Sequence, residues 1–139
     1  MREILFRGKR IDNGEWVEGG ILQEKEYVAI TVFSDYHGWH EFVEVIPETI
    51  GQYTGLTDKN GKKIFEGDIC KVCRSPDICV GQVEYYERIA SFIVKVSKTD
   101  MLVFLDYMSA RQKVGDRVWI EVVGNICDNP ELLGGVENG

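Results

Sequence analysis

Residues 48–69 read ETIGQYTGLTDKNGKKIFEGDI and contain two turn signals a few residues apart. The pair Asn60-Gly61 is typical of a tight hairpin turn, because both central residues of such a turn need positive φ. After a short apolar pair the chain turns again at 66–68 and enters the apolar run 69–72. This succession of short strands and tight turns predicts a small β-barrel.

Segments rich in β-branched and aromatic residues extend the pattern in both directions. The predicted strands are 4–9, 15–22, 27–33, 41–46, 69–72, 80–86, 92–96 and 117–126, with 52–54 pairing with 62–65 across the turn at 58–61. The apolar segment 102–107 fits either a strand or a short helix. Single helical turns are predicted at Pro47 and Pro130, since proline is favoured at the first helical position.

No long segment repeats its apolar residues with the 3.6-residue period of a helix. We therefore predict a mainly β protein of several coiled antiparallel sheets, including an SH3-like small barrel within the second half, with only one-turn helices. The last six residues, 134–139, are glycine-rich and are expected to form a flexible tail.

Length and charge limit the possible functions. The 139 residues fit one domain or two small lobes, and the net charge of −7 disfavours general binding to nucleic-acid backbones. The sequence lacks an apolar run long enough to span a membrane, and charges interrupt the N-terminal apolar residues too early for a signal peptide. These patterns predict a cytoplasmic protein with no membrane partner.

Three separated motifs resemble the YopX family of phage and prophage proteins. The first consists of residues 2–10 (REILFRGKR) and 13–19 (NGEWVEG). The second consists of residues 47–58 (PETIGQYTGLTD) and 61–69 (GKKIFEGDI), and the third is formed by GNI at 124–126 and NPELL at 129–133. The resemblance runs from end to end, although 74–117 matches only loosely, so a specialised role of this member is expected there.

The resemblance implies a β-rich fold of coiled sheets that assembles with itself. It implies a single domain at 1–133, with an N-terminal β lobe at about 1–50 and a barrel-like lobe at about 51–133. It implies no known reaction, and therefore no catalytic residues and no cofactor. Cys70 and Cys127 depart from the family pattern, which has an aliphatic and an aromatic residue at these positions.

The cysteines and histidines are the natural candidates for a metal site. Cys70 and Cys73 are followed by Cys79 and Cys127, but a spacing of three within a strand places the first two on opposite faces, which is unsuitable for zinc. The pair His37 and His40 flanks Trp39 in a polar stretch that reads as an exposed loop. We predict no metal site, although a pH-sensitive contact at the histidines stays open.

Basic and aromatic residues suggest a binding surface. The candidates are Trp16, Trp39, Tyr53, Lys59, Lys62 and Lys63. Stacking of bases on the aromatic rings with charge from the lysines would suit single-stranded nucleic acid, whereas exposed aromatic anchors would suit a protein partner. Carboxylates such as Asp58 and Asp68 lie at turns, where they favour turn chemistry over catalysis.

The favoured function is a non-enzymatic phage or prophage accessory protein, acting as a homo-oligomer on a host or phage protein. A nucleic-acid-binding SH3-like module is the first alternative, and it is disfavoured by the acidic net charge. An uncharacterised enzyme is the second alternative, and it would require a pocket with convergent carboxylates or histidines.

Overall fold

The computed structural model describes residues 3–34, 38–112 and 117–134, with only the backbone described at Phe33, Ser34 and Trp39. The candidate histidine His37 lies outside these ranges, as does the predicted tail beyond Gly134. The chain divides into two compact units, Met1–Tyr53 and Thr54–Gly139.

The first unit is an antiparallel meander. Its strands stand in the order β4-β3-β2-β1, and the first residues of β5 pair with the other side of β1. The bounds are β1 Phe6–Lys9, β2 Trp16–Gln23, β3 Val28–Ser34, β4 Trp39–Val45 and β5 Gly51–Thr57. The strand β5 begins in this unit and ends in the second one.

The sheet of the first unit is coiled, so that the end of β4 reaches the residue that follows β1. Val45, at the end of β4, forms an antiparallel bridge with Arg10. The amide of Ile46 donates to the carbonyl of Lys9 at 2.8 Å. Ile30 and Val45 are fully buried in this unit, as expected for the inner face of a coiled sheet.

The second unit contains a five-stranded antiparallel sheet in the order β10-β9-β8-β7-β11. The hairpin of β5 and β6 precedes it, and one helix, α1, lies between β10 and β11 in sequence. The bounds are β6 Lys63–Phe65, β7 Asp68–Arg74, β8 Asp77–Tyr86, β9 Ser91–Val96, β10 Leu102–Phe104, α1 Leu105–Gln112 and β11 Val118–Asn125.

The core of the second unit forms on one face of this sheet. The pairing places Val72 opposite Ile120 and Cys70 opposite Val122, so the alternating apolar residues of β7 and β11 share that face. Leu105 and Met108 of α1, three residues apart, belong to the same buried cluster. Ile120 and Val122 of β11 are buried on this face.

The helix α1 corrects the prediction of one-turn helices. Its eight residues continue directly from β10, so the ambiguous segment 102–107 is a short strand followed by the first residues of a helix. The spacing of Leu105 and Met108 suits a helix that buries one side, and Asp106 in the first turn is favourable to the helix dipole. The predicted single turns at Pro47–Thr49 and Pro130–Leu133 are confirmed as 3-10 helices.

The mainly β fold is confirmed, but the predicted SH3-like barrel of the second half does not close. Within the described residues, β10 and β11 stand at opposite ends of the sheet and do not pair. The outer edge of β11 is occupied by other groups instead of a strand. The amide of Lys59 donates to the carbonyl of Ile120 at 2.9 Å, and the amide of Ile120 donates to Oε1 of Gln112 at 3.1 Å.

The turn between β5 and β6 has positive φ at Gly61 but not at Asn60, so it differs from the predicted hairpin turn with positive φ at both residues. Oδ1 of Asp58 accepts hydrogen bonds from the amides of Asn60 and Lys62, each at 2.9 Å, and Gly61 has a φ of +83°. At the next turn, Oδ2 of Asp68 accepts from the amide of Phe65 at 2.7 Å. Both carboxylates therefore stabilise turns. None of the helices in the described ranges is long and apolar enough to cross a membrane.

Candidate functional site

The second unit contains a pocket of about 540 Å³ whose walls include three arginines, and we call it the arginine pocket. The arginines are Arg74, Arg111 and Arg117, which come from three separate parts of the sequence. The other described residues of the lining are Val72, Ser75, Asp77, Cys79, Met101, Val103, Tyr107 and Val118.

The strand register explains how these arginines meet. Arg74 is the last residue of β7 and is paired with Val118 of β11, so Arg117 directly precedes the residue opposite Arg74. The amide of Ser75 donates to the carbonyl of Arg117 at 2.9 Å, which holds the two backbones together beyond the strands. Arg111 is in the last turn of α1.

The pocket continues the core face of the sheet. Val72 and Arg74 are two residues apart on β7 and therefore point to the same face, and Cys79 of β8 stands opposite Val72. Val72 belongs to the buried cluster, whereas Arg74 is exposed. The pocket is therefore apolar where it joins the core and cationic where it opens to solvent.

The charges of the pocket are unbalanced. Asp77 is the single acidic side chain among the described residues of the lining, against three arginines. The guanidinium groups of Arg74 and Arg117 make no ion pair or side-chain hydrogen bond with any residue in the described part of the chain. The guanidinium carbon of Arg111 lies 6.0 Å from the ring centroid of Tyr107. Two cationic groups are thus available to an anion.

Cys79 is a half-buried thiol in the wall of the pocket. Its Sγ lies 3.8 Å from the carbonyl oxygen of Val72, to which the thiol donates. Burial raises the pKa of the Cys79 thiol, and the charge of Asp77 raises it further, whereas Arg74 acts in the opposite direction. The thiol is therefore protonated at neutral pH, which makes it a weak nucleophile.

A second concave region, of about 570 Å³, lies in the first unit and differs in its charge balance. Its arginine, Arg10, forms two hydrogen bonds with the carboxylate of Asp12, at 2.9 and 2.8 Å. This pair raises the pKa of Arg10 and lowers that of Asp12. Glu41 and Glu44 also line the region, so it has no excess of positive charge.

The predicted binding residues fall in both units. In the first unit, Trp16 is half-buried, with the guanidinium carbon of Arg7 at 4.8 Å and Nζ of Lys9 at 5.6 Å from its ring centroid. Tyr53 is only 8% exposed and belongs to the core. Trp39 begins β4, and its side chain is outside the described part of the structure.

In the second unit the three predicted lysines lie on or beside the β5–β6 turn. Lys59 and Lys62 are exposed and Lys63 is half-buried. Nζ of Lys59 lies 4.0 Å from the ring centroid of Trp119 and 3.8 Å from the carboxylate of Glu121. The ammonium group of Lys59 thus covers one face of the Trp119 ring.

The cysteines occupy different environments. Cys70 and Cys73 are buried in β7, Cys79 is half-buried and Cys127 is exposed. No group of three or more potential metal ligands is found within the described ranges.

The arginine pocket was not predicted from the sequence. Its three arginines are separated by 37 and 6 positions, and no local motif connects them. The available signal was indirect, because all three fall within 74–117, the segment in which a specialised role is expected from the sequence.

This chain is similar in structure to a solved protein and in sequence to a known family. A crystal structure of protein EF1440 from Enterococcus faecalis is similar to this chain, with a TM-score of 0.58 and 26% sequence identity, covering 96% of this chain and 99% of that one. The comparison with curated proteins finds no match. The family model described as YopX protein matches residues 5–134. With the match extending over nearly the whole sequence, the chain belongs to the YopX family.

Proposed function

We propose that this protein is a phage- or prophage-encoded accessory protein that works in the host cytoplasm by binding, without catalysing a reaction. In this proposal it forms a homo-oligomer and contacts a host or phage protein. The observation that carries the proposal is β10, the end strand of the sheet among the described residues, which contains no charged residue.

The sequence of β10 is Leu-Val-Phe, and β10 stands at the end of its sheet. Val103 faces the core, whereas Phe104 is 51% exposed. Proteins usually protect an edge strand by keeping it very short, or with charged residues, proline or a covering segment. β10 is short, with three residues, but it has no charge or proline of its own. Pairing of β10 with a second copy would bury Phe104 and satisfy the exposed backbone groups.

The end strand of the first unit provides a contrast. Phe42 of β4 is also exposed, but it is flanked in the same strand by Glu41 and Glu44. Like charges on an edge oppose its pairing with an identical strand. The bridge from Val45 to Arg10 further occupies the end of β4. We therefore assign self-association to β10 and not to β4.

A nucleic-acid-binding module is the second candidate. Lys59, Lys62 and Trp119 combine charge with an aromatic ring near the β5–β6 turn. However, the ring face is covered by Lys59, and Glu121 is close to the same ammonium group. This candidate therefore ranks below protein binding.

Sedimentation velocity of Phe104→Lys and Phe42→Lys variants over a wide concentration range tests the proposal. We expect the wild type and Phe42→Lys to associate and Phe104→Lys to remain monomeric, because a lysine at β10 adds charge to the pairing edge. The Lys59→Gln/Lys62→Gln/Lys63→Gln variant should associate like the wild type. Association that survives Phe104→Lys would refute the assignment to β10.

A further inference from the structure

We propose that the arginine pocket binds a small organic anion. A phosphate or carboxylate group of this ligand pairs with Arg74 and Arg117, and its apolar or aromatic body lies against the wall that includes Met101, Val103 and Tyr107. This inference does not depend on the proposed self-association, since Phe104 does not line the pocket.

The first argument is the clustering of positive charge in an acidic protein. The chain has 16 basic and 23 acidic residues, so the three arginines and one carboxylate among the described residues of the lining are opposite to the overall balance. Like charges that share a site repel each other, and an anion placed between them removes this repulsion. The second unit therefore has a local site that attracts anions despite the negative net charge.

The second argument is the chemistry of the guanidinium group. The guanidinium groups of Arg74 and Arg117 make no hydrogen bond to any acceptor in the described part of the chain. The backbones of these residues are held side by side where β7 ends and β11 begins. Arginine presents several donors in a planar fork that matches the oxygens of a carboxylate or phosphate. Such charge-assisted hydrogen bonds are stronger than neutral ones.

The third argument is the composition and size of the pocket. Val72, Val103 and Val118 give its inner wall an apolar surface that continues into the core, and Tyr107 adds an exposed aromatic ring. Small-molecule sites are typically concave, mostly apolar and about 300–1,000 Å³, with a few polar groups that fix orientation. The volume of about 540 Å³ is within that range. A ligand with both an anionic and an apolar part uses all of these features.

Four probes separate the contributions of the anionic group and of the aromatic ring to binding: phenyl phosphate, benzoate, phenol and inorganic phosphate. Binding is measured by titration calorimetry on the full-length protein and on two double variants. Arg74→Gln/Arg117→Gln removes two charges from the pocket. Lys71→Gln/Lys95→Gln removes two charges from exposed lysines on the opposite face of the same sheet, and is the matched control.

We expect phenyl phosphate, benzoate or both to bind the wild type and the lysine control with equal affinity. The arginine variant should bind about tenfold more weakly or worse, because charge-assisted hydrogen bonds are lost. If the natural ligand carries a phosphate, phenyl phosphate should bind more tightly than benzoate. If it carries a carboxylate, benzoate should bind more tightly than phenyl phosphate. Phenol and inorganic phosphate should both bind more weakly than the probe that joins ring and anion.

The rate of alkylation at Cys79 is an independent readout of the same site. A ligand in the pocket should slow the reaction of Cys79 with iodoacetamide and leave that of the exposed Cys127 unchanged. Thermal unfolding of each variant verifies that it is folded. The proposal is overturned if neither phenyl phosphate nor benzoate binds, if both double variants weaken binding equally, or if inorganic phosphate binds as tightly as phenyl phosphate and benzoate.

Discussion

Asp58 connects a turn to the edge of the sheet through one buried carboxylate. Its side chain is 4% exposed. Oδ1 accepts from two amides of its own turn, and Oδ2 accepts from the amide of Val122 at 2.9 Å. A buried carboxylate that accepts several backbone hydrogen bonds is well satisfied, so Asp58 stabilises the fold.

Replacing Asp58 by Asn tests this role. The amide keeps one acceptor oxygen but presents an NH2 group where the carboxylate accepts a hydrogen bond. We expect a loss of about 1–3 kcal/mol in the free energy of unfolding, as for a buried donor left without a partner. Urea unfolding measures it. The control is Glu121→Gln, whose ion pair with Lys59 is partly exposed and should contribute at most about 1 kcal/mol. Equal losses for both variants would contradict the assignment.

The cysteines provide a second prediction at the residue scale. Because burial raises the pKa of Cys79, a smaller fraction of its thiol is ionised at any given pH, and the thiolate is the reactive form. Cys127 is exposed, whereas Cys70 and Cys73 are buried. Mass spectrometry after brief treatment with iodoacetamide at mildly alkaline pH should find Cys127 modified first, Cys79 more slowly, and Cys70 and Cys73 last. Modification of Cys79 before Cys127 would contradict this order.

At the scale of elements, α1 takes the place that a closing strand would have in a barrel. Gln112 in its last turn makes two hydrogen bonds to other elements. Its Nε2 donates to the carbonyl of Thr57 at 2.8 Å, and its Oε1 accepts from the amide of Ile120 at 3.1 Å. One side chain thus connects α1 to β5 and to the outer edge of β11.

Truncating Gln112 to Ala should loosen that edge. We expect a loss of about 1–2 kcal/mol in the free energy of unfolding, since two backbone groups lose a side-chain partner. Hydrogen exchange should become faster at the amide of Ile120, while the amides of β8 in the sheet centre keep their protection. Gln112→Glu preserves the acceptor for the amide of Ile120, so exchange at that amide should accelerate less than in Gln112→Ala. Unchanged exchange at Ile120 in Gln112→Ala would refute this explanation.

The strands were predictable from the sequence, whereas the segment 102–107 allowed either a strand or a short helix, and the reason is physical. Alternating apolar residues in segments such as 117–126 are a local signal, and the observed β11 falls within them. In α1 the helical period is visible only at Leu105 and Met108, because a helix of eight residues shows little more than two turns. The arginine pocket depends on strand register and on long-range pairing, which no single segment of the sequence encodes.

At the scale of the whole molecule, charge is unevenly distributed. A net charge of −7 coexists with a cluster of three arginines and with an uncharged edge strand. A net charge far from zero opposes nonspecific association, so association that still occurs requires a specific contact. This supports the proposal of a binding protein with one self-association edge and one anion site.

Native mass spectrometry of the wild-type protein, purified gently from a bacterial host, tests the proposal of an oligomeric binding protein most directly. It measures subunit number and any bound nucleic acid or protein in one experiment. The proposal predicts a homo-oligomer without nucleic acid, which dissociates to monomers in the Phe104→Lys variant. A monomer at every concentration, or a monomer that retains nucleic acid, would contradict the proposal.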